Sequence, residues 1–523
     1  MGRLRLPSTR HLFLGTVLLA ALARAVQPVT DPDYFWHLRV GRWIIDHRAI
    51  PHTDLFTYTV SDHRFVAHEW LSEVAMAALT GLAGSPHGPG PAAAPETWAV
   101  ALLFGVVTWA AFVLLLVTPR DAGWLFRGLA VFLGLLAAAP ILGPRTQMLT
   151  FCFSALVLYV LRRWREDPPR GSGSSGTPDG RHRRLWVLPP LFVLWANTHA
   201  GFAFGLGLLA VYLAGEALER WWARPAQASR PSLKPLAAVC GACLAAVAVN
   251  PNFLAIYPYA LETQASPAQQ QLIVEWASPN FHLPELRAFE VMLVLLALLL
   301  ALARRRPRAT DLLLALLGVG LALQSVRHVA LFVVLATPLL AEAAQAVWEA
   351  RPDGWKVREP PRRRVLGLAN LALLALVAAV VGLYSLGNLR GGPAQLRRDF
   401  PVAALDAVAA DPPPGHLLDL YEWGGYAVYR LWPGRQVFIY GDAAVMGDDF
   451  LRQYQAISDI HPDYRAVIDR YQVEWVLFGT NQPLTVLLSA SPEWVVLHQD
   501  GVATVLVRRD ASTSAYLLAH GRG

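Results

Sequence analysis

Two runs of the chain, Val291–Ala303 and Leu366–Leu386, carry no charged residue at all. A helix built from such a run has no charged face to turn toward water, so it is either wrapped in protein or immersed in lipid. Comparable apolar runs recur at 11–28, 97–117, 124–142, 147–163, 185–199, 201–220, 235–250, 288–303, 310–326, 328–347 and 365–387. They predict a polytopic α-helical membrane protein with about 11 transmembrane helices. Composition agrees, because a chain of 523 residues that is 54% hydrophobic, with mean hydropathy +0.36, is too apolar for an ordinary soluble surface.

The basic residues set the expected orientation. Arg3, Arg5 and Arg10 precede a run ending Ala23-Arg24-Ala25, which has the look of a signal peptide but is read here as an uncleaved first helix with its N-terminus in the cytoplasm. With that threading most Lys and Arg fall in the cytoplasmic segments, at 162–184, 220–234, 304–308 and 351–364 among them. The opposite loops before residue 388 hold Arg39, Arg42, Arg48, Arg64, Arg145, Arg287 and Arg327. The net charge of +7 is therefore a topology signal, and no nucleic-acid partner is expected. Cys152, Cys240 and Cys243 lie in apolar segments, and the Cys240-Gly-Ala-Cys243 spacing reads as helix packing, not as a redox or metal pair.

The expected domains are a first transmembrane helix at 1–29, an outer loop at 30–95, a helical core at 96–387 and an extracytoplasmic α/β domain at 388–523. Within the loop, His68–Gly84 is apolar enough to cross, but a crossing there would invert every later loop, so it is read as an interfacial helix on the outer face. Residues 165–184, with Gly171–Gly176, read as a cytoplasmic linker. In the tail, strands are expected at His416–Leu420, Gln436–Tyr440, Trp475–Phe478, Trp494–His498 and Val502–Val507. Helices are expected at Val402–Ala410, Asp448–Ile457 and Tyr464–Tyr471.

Chemistry-bearing residues concentrate in Thr30–Glu73, which holds five Asp, five His and two Glu in a chain only 16% charged. Asp31 is a good helix N-cap, Pro32 suits the first helical position, and Asp33 suits the positive end of the helix. On a helix Asp33 and His37 share a face, so two readings stay open: a capped helix end, or a pair aimed at a metal or a substrate hydroxyl. His68, Glu69 and Glu73 open the next helix, with Glu69 and Glu73 on one face. They lack the second His of a zinc-protease helix, and a solvated helix start is the alternative. Further polar groups cluster at outer helix ends: Arg145 with Gln147, Asn197 with His199, Glu275 with Trp276, and Arg327 with His328. Each alone serves as an interfacial anchor, whereas together they suit an anionic lipid phosphate. In the tail, Trp423, Gly424, Gly425 and Tyr426 place a glycine pair among aromatic rings, fit for close approach of a ligand or for packing.

The run Asp31-Pro-Asp-Tyr-Phe-Trp-His-Leu-Arg39 resembles the acidic first-loop motif of membrane glycosyltransferases of the GT-C fold, particularly the catalytic subunits of oligosaccharyltransferases. Glu422-Trp-Gly-Gly-Tyr426 resembles a degenerate form of that family's Trp-Trp-Asp-Tyr-Gly acceptor motif. It departs from the motif in having Glu422 before a single Trp423 and no Asp directly after it. A second acidic Asp-X-Asp or Asp-X-Glu pair between the early spans is also missing. The whole chain is most similar to bacterial GT-C-like proteins of the inner membrane and cell envelope.

The resemblance implies transfer of a sugar from a polyprenyl-phosphate-linked donor in the lipid bilayer to a glycan, lipid or protein acceptor at the extracytoplasmic face. Asp31 or Asp33 would act as base or as ligand to a divalent metal, Mg or Mn. On that reading His37, His68 and Glu69 support the acids, Arg145 and Arg327 face the phosphate, and the Trp423–Tyr426 turn closes over the acceptor. The competing class is a non-catalytic membrane protein, either a transporter of lipid-linked glycans or an assembly scaffold.

Overall fold

The computed structural model describes residues 6–82, 97–167, 180–222, 231–351 and 363–522. Most of the expected linker at 165–184, and the end of the interfacial segment beyond residue 82, lie outside the described residues. The chain divides into two compact units. One comprises Met1–Gln27, Ala101–Ala260 and Ile273–Asn388, and the other comprises Pro28–Val100, Leu261–Leu272 and Leu389–Gly523.

Every apolar run named above is helical, at Thr9–Ala25, Thr97–Val117, Trp124–Ala138, Gln147–Glu166, Leu188–Ala196, Phe202–Trp222, Leu233–Val247, Arg287–Leu302, Ala309–Gln324, Val329–Glu349 and Arg364–Asp399. Among the described residues five helical stretches are long and apolar enough to cross a membrane by length and composition: Thr97–Val117, Trp124–Ile141, Phe202–Trp222, Val326–Glu349 and Arg364–Asp399. Leu188–Ala196 is shorter than its apolar run because the chain turns at Trp186–Val187 before it and at Asn197–Gly201 after it. Gln147–Glu166 has length enough, but it ends in Arg162, Arg163 and Arg165.

The helical unit is organised around Val329–Glu349, which packs against Ala309–Gln324, Trp124–Ala138, Arg287–Leu302 and Gln147–Glu166. Of the apolar window in Val326–Glu349, 78% is buried, against 11% in Arg364–Asp399. The second helix therefore leaves Leu368, Leu371, Leu376, Val380 and Leu383 exposed along its length, a surface that suits lipid and not water.

At one end of these helices two arginines are buried with their acids. Arg162 pairs with Asp311 at 3.1 Å and with Glu342 at 2.5 Å, while Arg165 pairs with the same Asp311 at 3.1 Å and with Glu216 at 3.5 Å. Asp311 is thus clamped between two guanidinium groups, which is the arrangement a carboxylate needs to stay charged away from water.

The second unit joins the acidic loop to the tail. Helices Tyr34–His47 and Trp70–Leu82 pack side by side. Gly41 permits this, because a Cβ there would lie 2.0 Å from the Glu73 carbonyl oxygen and 3.0 Å from the Ala77 Cβ. In the tail, β1 (His416–Asp419) runs parallel to β2 (Val473–Gly479), which is antiparallel to β4 (Ala503–Arg508). β4 is in turn antiparallel to β3 (Trp494–Gln499), giving the order β1-β2-β4-β3. β2 is buried along most of its length, as expected of a central strand with both faces covered. Helices Val402–Val408, Asp448–Ser458 and Tyr464–Arg470 fall where the sequence predicts them. The segment Leu261–Leu272 is tied to the tail through Ser266, whose hydroxyl donates to Asp448 Oδ1 at 2.5 Å.

Two expectations for the tail are corrected. Gln436–Tyr440 is not a strand: its backbone forms one isolated bridge from Val437 to Thr57, and the Asp419 carboxylate accepts from the N–H groups of Phe438 at 2.7 Å and Ile439 at 3.4 Å. A side chain does there what a neighbouring strand would otherwise do. Trp423–Tyr426 is not a turn but part of the helix Tyr421–Leu431.

Candidate functional site

The acidic loop places its two leading aspartates at the start of Tyr34–His47. The helix begins one residue past Asp33, so Asp33 and not Asp31 occupies the cap position. Asp31 instead closes the preceding turn, its Oδ1 accepting from the Asp33 N–H at 3.0 Å. Both side chains are half-buried. Asp33 Oδ1 accepts from the Trp36 indole N–H at 3.0 Å, which fixes the direction in which the carboxylate points. It also occupies the space left by Gly441, where a Cβ would fall 1.6 Å from Asp33 Oδ1. Any larger residue at 441 would evict the carboxylate.

Behind this rim lies a buried set of charges. His37 Nδ1 donates to Glu73 Oε1 at 2.9 Å, and His37 Nε2 lies 3.7 Å from Glu69 Oε2. His68 Nε2 lies 3.2 Å from Glu69 Oε1, so Glu69 sits between two imidazoles. Helix Trp70–Leu82 starts just after Glu69, and the Glu73 N–H bonds back to the Glu69 carbonyl at 3.0 Å, which puts the two glutamates one turn apart. The indole of Trp36 lies over the His37 ring, with centroids 3.7 Å apart.

Burial opposes charge on His37, but the hydrogen bond to Glu73 and the charges of Glu69, Glu73 and Asp33 outweigh it and raise its pKa to about 9. Burial likewise opposes charge on His68, and Glu69 together with Asp442 pushes it upward. Burial raises Glu73, against the pull of His37. The His37–Glu73 pair therefore holds a proton at neutral pH.

Further acids missing from the sequence-level site border this set. Asp442 is buried and raised by that burial, with His68 opposing the shift, and it accepts from the Val445 N–H at 3.2 Å. Asp54 accepts from Thr57 Oγ1 at 2.6 Å, from the Thr57 N–H at 2.8 Å and from the Tyr440 hydroxyl at 2.9 Å. The dipeptide Gly441-Asp442 ending an aromatic run was the available signal: a small residue beside an acid, where backbone approaches side chain.

The glycine pair of the tail serves the same loop. A Cβ on Gly425 would fall 2.5 Å from the Pro32 carbonyl oxygen and 3.0 Å from Trp36 Cδ1, and one on Gly424 would fall 2.0 Å from the Ile439 carbonyl oxygen. Trp423 and Tyr426 are buried, Trp423 donating to the Asp399 carbonyl at 3.0 Å and Tyr426 packing edge-on against Phe35. These residues pack against the loop that carries Asp31 and Asp33.

In the helical unit Arg145 Nη1 lies 2.6 Å from Glu275 Oε1, and the Gln147 side chain donates to the Arg327 carbonyl at 3.3 Å. The Arg327 guanidinium lies over the Trp276 ring, 5.1 Å from its centroid, and His328 meets the same ring edge-on. Ser325 Oγ donates to the Glu275 carbonyl at 2.9 Å, which ties the two loops together. Arg145, Glu275, Arg327 and His328 thus form one cluster. Asn197 and His199 hold helix ends instead: Asn197 donates to the Val193 and Val249 carbonyls at 2.7 and 2.8 Å, and His199 Nδ1 accepts from the Gly201 N–H at 2.9 Å and faces Thr150 Oγ1 at 2.8 Å.

A divalent metal at Asp31 and Asp33 needs more oxygen or nitrogen donors than two carboxylates supply. Among the described residues no three His, Cys, Asp or Glu side chains converge to hold an ion. Asp31 Oδ1 and Asp33 Oδ1 already accept hydrogen bonds from within the loop. The donor set does not fit a metal held by protein ligands alone.

No protein-family model and no curated protein sequence matches the chain. Solved structures do. The archaeal oligosaccharyltransferase of Archaeoglobus fulgidus, tethered to an acceptor peptide containing the NVT sequon, matches over 90% of this chain and 69% of its own at 12% identity, with TM-score 0.52. The Archaeoglobus fulgidus enzyme AglB, in complex with an inhibitory peptide and a dolichol-phosphate, matches over 95% of this chain and 74% of its own at 11% identity, with TM-score 0.52. ArnT of Cupriavidus metallidurans in the apo state covers 94% and 95% at 14% identity, with TM-score 0.48. The chain has the fold of the Archaeoglobus fulgidus oligosaccharyltransferase, the GT-C fold.

Proposed function

We propose that the chain is a multi-pass membrane glycosyltransferase that moves a sugar from a polyprenyl-phosphate-linked donor to a hydroxyl or amide acceptor at the extracytoplasmic face of the cytoplasmic membrane. The observation that carries this reading is the half-buried Asp33 carboxylate, aimed by Trp36, seated against Gly441 and backed by the proton-holding His37–Glu73 pair. The fold is shared with an enzyme whose complex contains a dolichol-phosphate, which agrees with a lipid-linked donor.

In the proposed reaction Asp33 takes the acceptor proton as the acceptor atom bonds to the anomeric carbon. The bond from that carbon to the phosphate oxygen breaks, and its electron pair leaves with the polyprenyl phosphate. Asp31 orients Asp33 through its backbone N–H, and His37, Glu69 and His68 keep the field around the carboxylate fixed. Within the helical unit, Arg145 and Arg327 are the proposed partners of an anionic lipid phosphate, which a guanidinium recognises.

The scaffold reading has one observation in its favour: Asp31, Asp33, Asp54, Glu69 and Glu73 each have a structural partner. The two separate in a donor-binding and transfer experiment on purified protein. The transferase reading expects saturable binding of a polyprenyl-phosphate sugar, weakened roughly 10- to 150-fold by Arg327→Ala, the equivalent of about 1.5–3 kcal/mol for a hydrogen bond to a charged group. It also expects Asp33→Asn to bind donor but not transfer. Absence of donor binding by folded wild-type protein would decide for the scaffold.

A further inference from the structure

The loop after Arg287–Leu302 reads Arg304-Arg305-Arg306-Pro307-Arg308 and lines a cavity of about 370 Å³ within the helical unit. Cavities of that size accept small ligands or a headgroup. The side chains of Arg304, Arg305 and Arg306 are exposed and form no ion pair among the described residues. Nothing in the fold therefore uses their charge.

Beside Arg165 and Asp311, the same cavity is lined by Glu166, Glu342 and Glu349. Two of these are engaged: Glu342 accepts from Arg162 Nη1 and Glu349 from Gln345 Nε2, both at 2.5 Å. Glu166 differs. Its Oε1 lies 3.7 Å from Arg165 Nη2, and its Oε2 is buried with no hydrogen-bond partner among the described residues. A buried carboxylate oxygen without a donor is rare in folded proteins and marks a place for one. The site thus offers the cations of Arg304, Arg305 and Arg306 and, in the same lining, a carboxylate oxygen that lacks a donor. Helix Arg287–Leu302 runs up to it with Val294, Leu298 and Leu302 exposed, an apolar track of the kind acyl chains cover.

We propose that this cavity is a binding site for an aminophospholipid headgroup, of the phosphatidylethanolamine type. The phosphate sits on Arg304, Arg305 and Arg306, the primary ammonium donates to Glu166 Oε2, and the acyl chains lie along Val294, Leu298 and Leu302. A phosphatidylglycerol headgroup has no cation for Glu166, and the quaternary ammonium of phosphatidylcholine has no hydrogen to donate.

The test is lipid retention by the purified full chain, read by mass spectrometry after exchange into vesicles of phosphatidylethanolamine, phosphatidylglycerol or phosphatidylcholine, with soluble phosphoethanolamine as competitor. The wild type should retain phosphatidylethanolamine over both other lipids by about fivefold or more, and phosphoethanolamine should compete weakly. Each of Arg304→Ala, Arg305→Ala and Arg306→Ala should lower retention up to about fivefold, the contribution of one basic side chain at an anionic headgroup. Glu166→Gln should erase the preference over phosphatidylglycerol while leaving phosphatidylglycerol retention unchanged. Equal retention of the three lipids by the wild type overturns the proposal, and this comparison needs no variant to fold. Competition by phosphoethanolamine as strong as the lipid itself, or a preference unchanged by Glu166→Gln, overturns it too.

Discussion

The two units each bury a cluster of opposite charges, and the clusters are built to different ends. Around Arg162, Arg165 and Asp311 the acid is bracketed by two guanidinium groups deep in a helical packing that leaves none of these three side chains open to solvent. Around Asp33, His37, Glu69 and Glu73 the charges grade from a half-buried carboxylate at the rim to a buried imidazole whose pKa is displaced to about 9. Fixed guanidinium charges cannot exchange protons at ordinary pH, whereas an imidazole among carboxylates can. On the proposed function the difference separates architecture from chemistry: a closed ion-pair set holds helices in place, and a graded, titratable one would serve a reaction.

The comparison breaks most readily at the closed cluster. Asp311→Ala leaves two arginines buried without their shared partner and should cost about 3–5 kcal/mol, seen as loss of folded protein by size-exclusion chromatography in detergent. Asp33→Asn should barely move the melting temperature but should reduce sugar transfer roughly 10²–10⁴-fold, the usual contribution of a general base. If the two substitutions had the same effect on stability and activity, the distinction between the clusters would fail.

Gly441→Ala sharpens the comparison, since its Cβ would collide with Asp33 Oδ1 without removing any charged group. It should lower transfer with donor binding retained, measured as a fall in kcat at unchanged donor affinity. Trp36→Phe removes one neutral donor to Asp33 and should have a smaller effect, about 5–10-fold in kcat for roughly 1 kcal/mol of hydrogen bonding.

The pH dependence of stability should come from the graded cluster. His37 is raised above its ordinary value, so the folded state binds a proton that the unfolded chain releases near 6.5. That contribution is complete below about pH 6.5 and is lost as pH rises toward 9. Glu73, also raised, acts in the same sense. The melting temperature of the wild type should therefore fall between pH 6.5 and 9, and His37→Gln should flatten that fall.

Much of this arrangement was legible in the sequence. Uncharged runs identify buried or lipid-facing helices because no other environment accepts them, and the tail strands at 416–419, 473–479, 494–499 and 503–508 follow from short β-rich runs. The Asp31–His37 motif lies in the loop where the structure gathers His37, Glu69 and Glu73. What escaped was long-range. His37 meets Glu73 across a glycine contact that no local pattern encodes, and Val437–Tyr440 reads as a strand because its apolar residues are buried, though a carboxylate and not a strand satisfies its backbone. Trp423–Tyr426 read as a turn because glycine pairs favour turns; here the pair sits in a helix because two backbones press against it. The resemblance of the first-loop motif named a fold that the structural likeness bears out, while the roles of individual residues depend on contacts that only three dimensions supply.

The most direct test places Asp33→Asn beside the wild type in one lipid-nanodisc preparation, with melting temperature and single-turnover transfer from a polyprenyl-phosphate sugar recorded on the same samples. The account predicts melting temperatures within a degree or two of each other and transfer reduced at least about 100-fold. Transfer at the wild-type rate by the folded variant would contradict it.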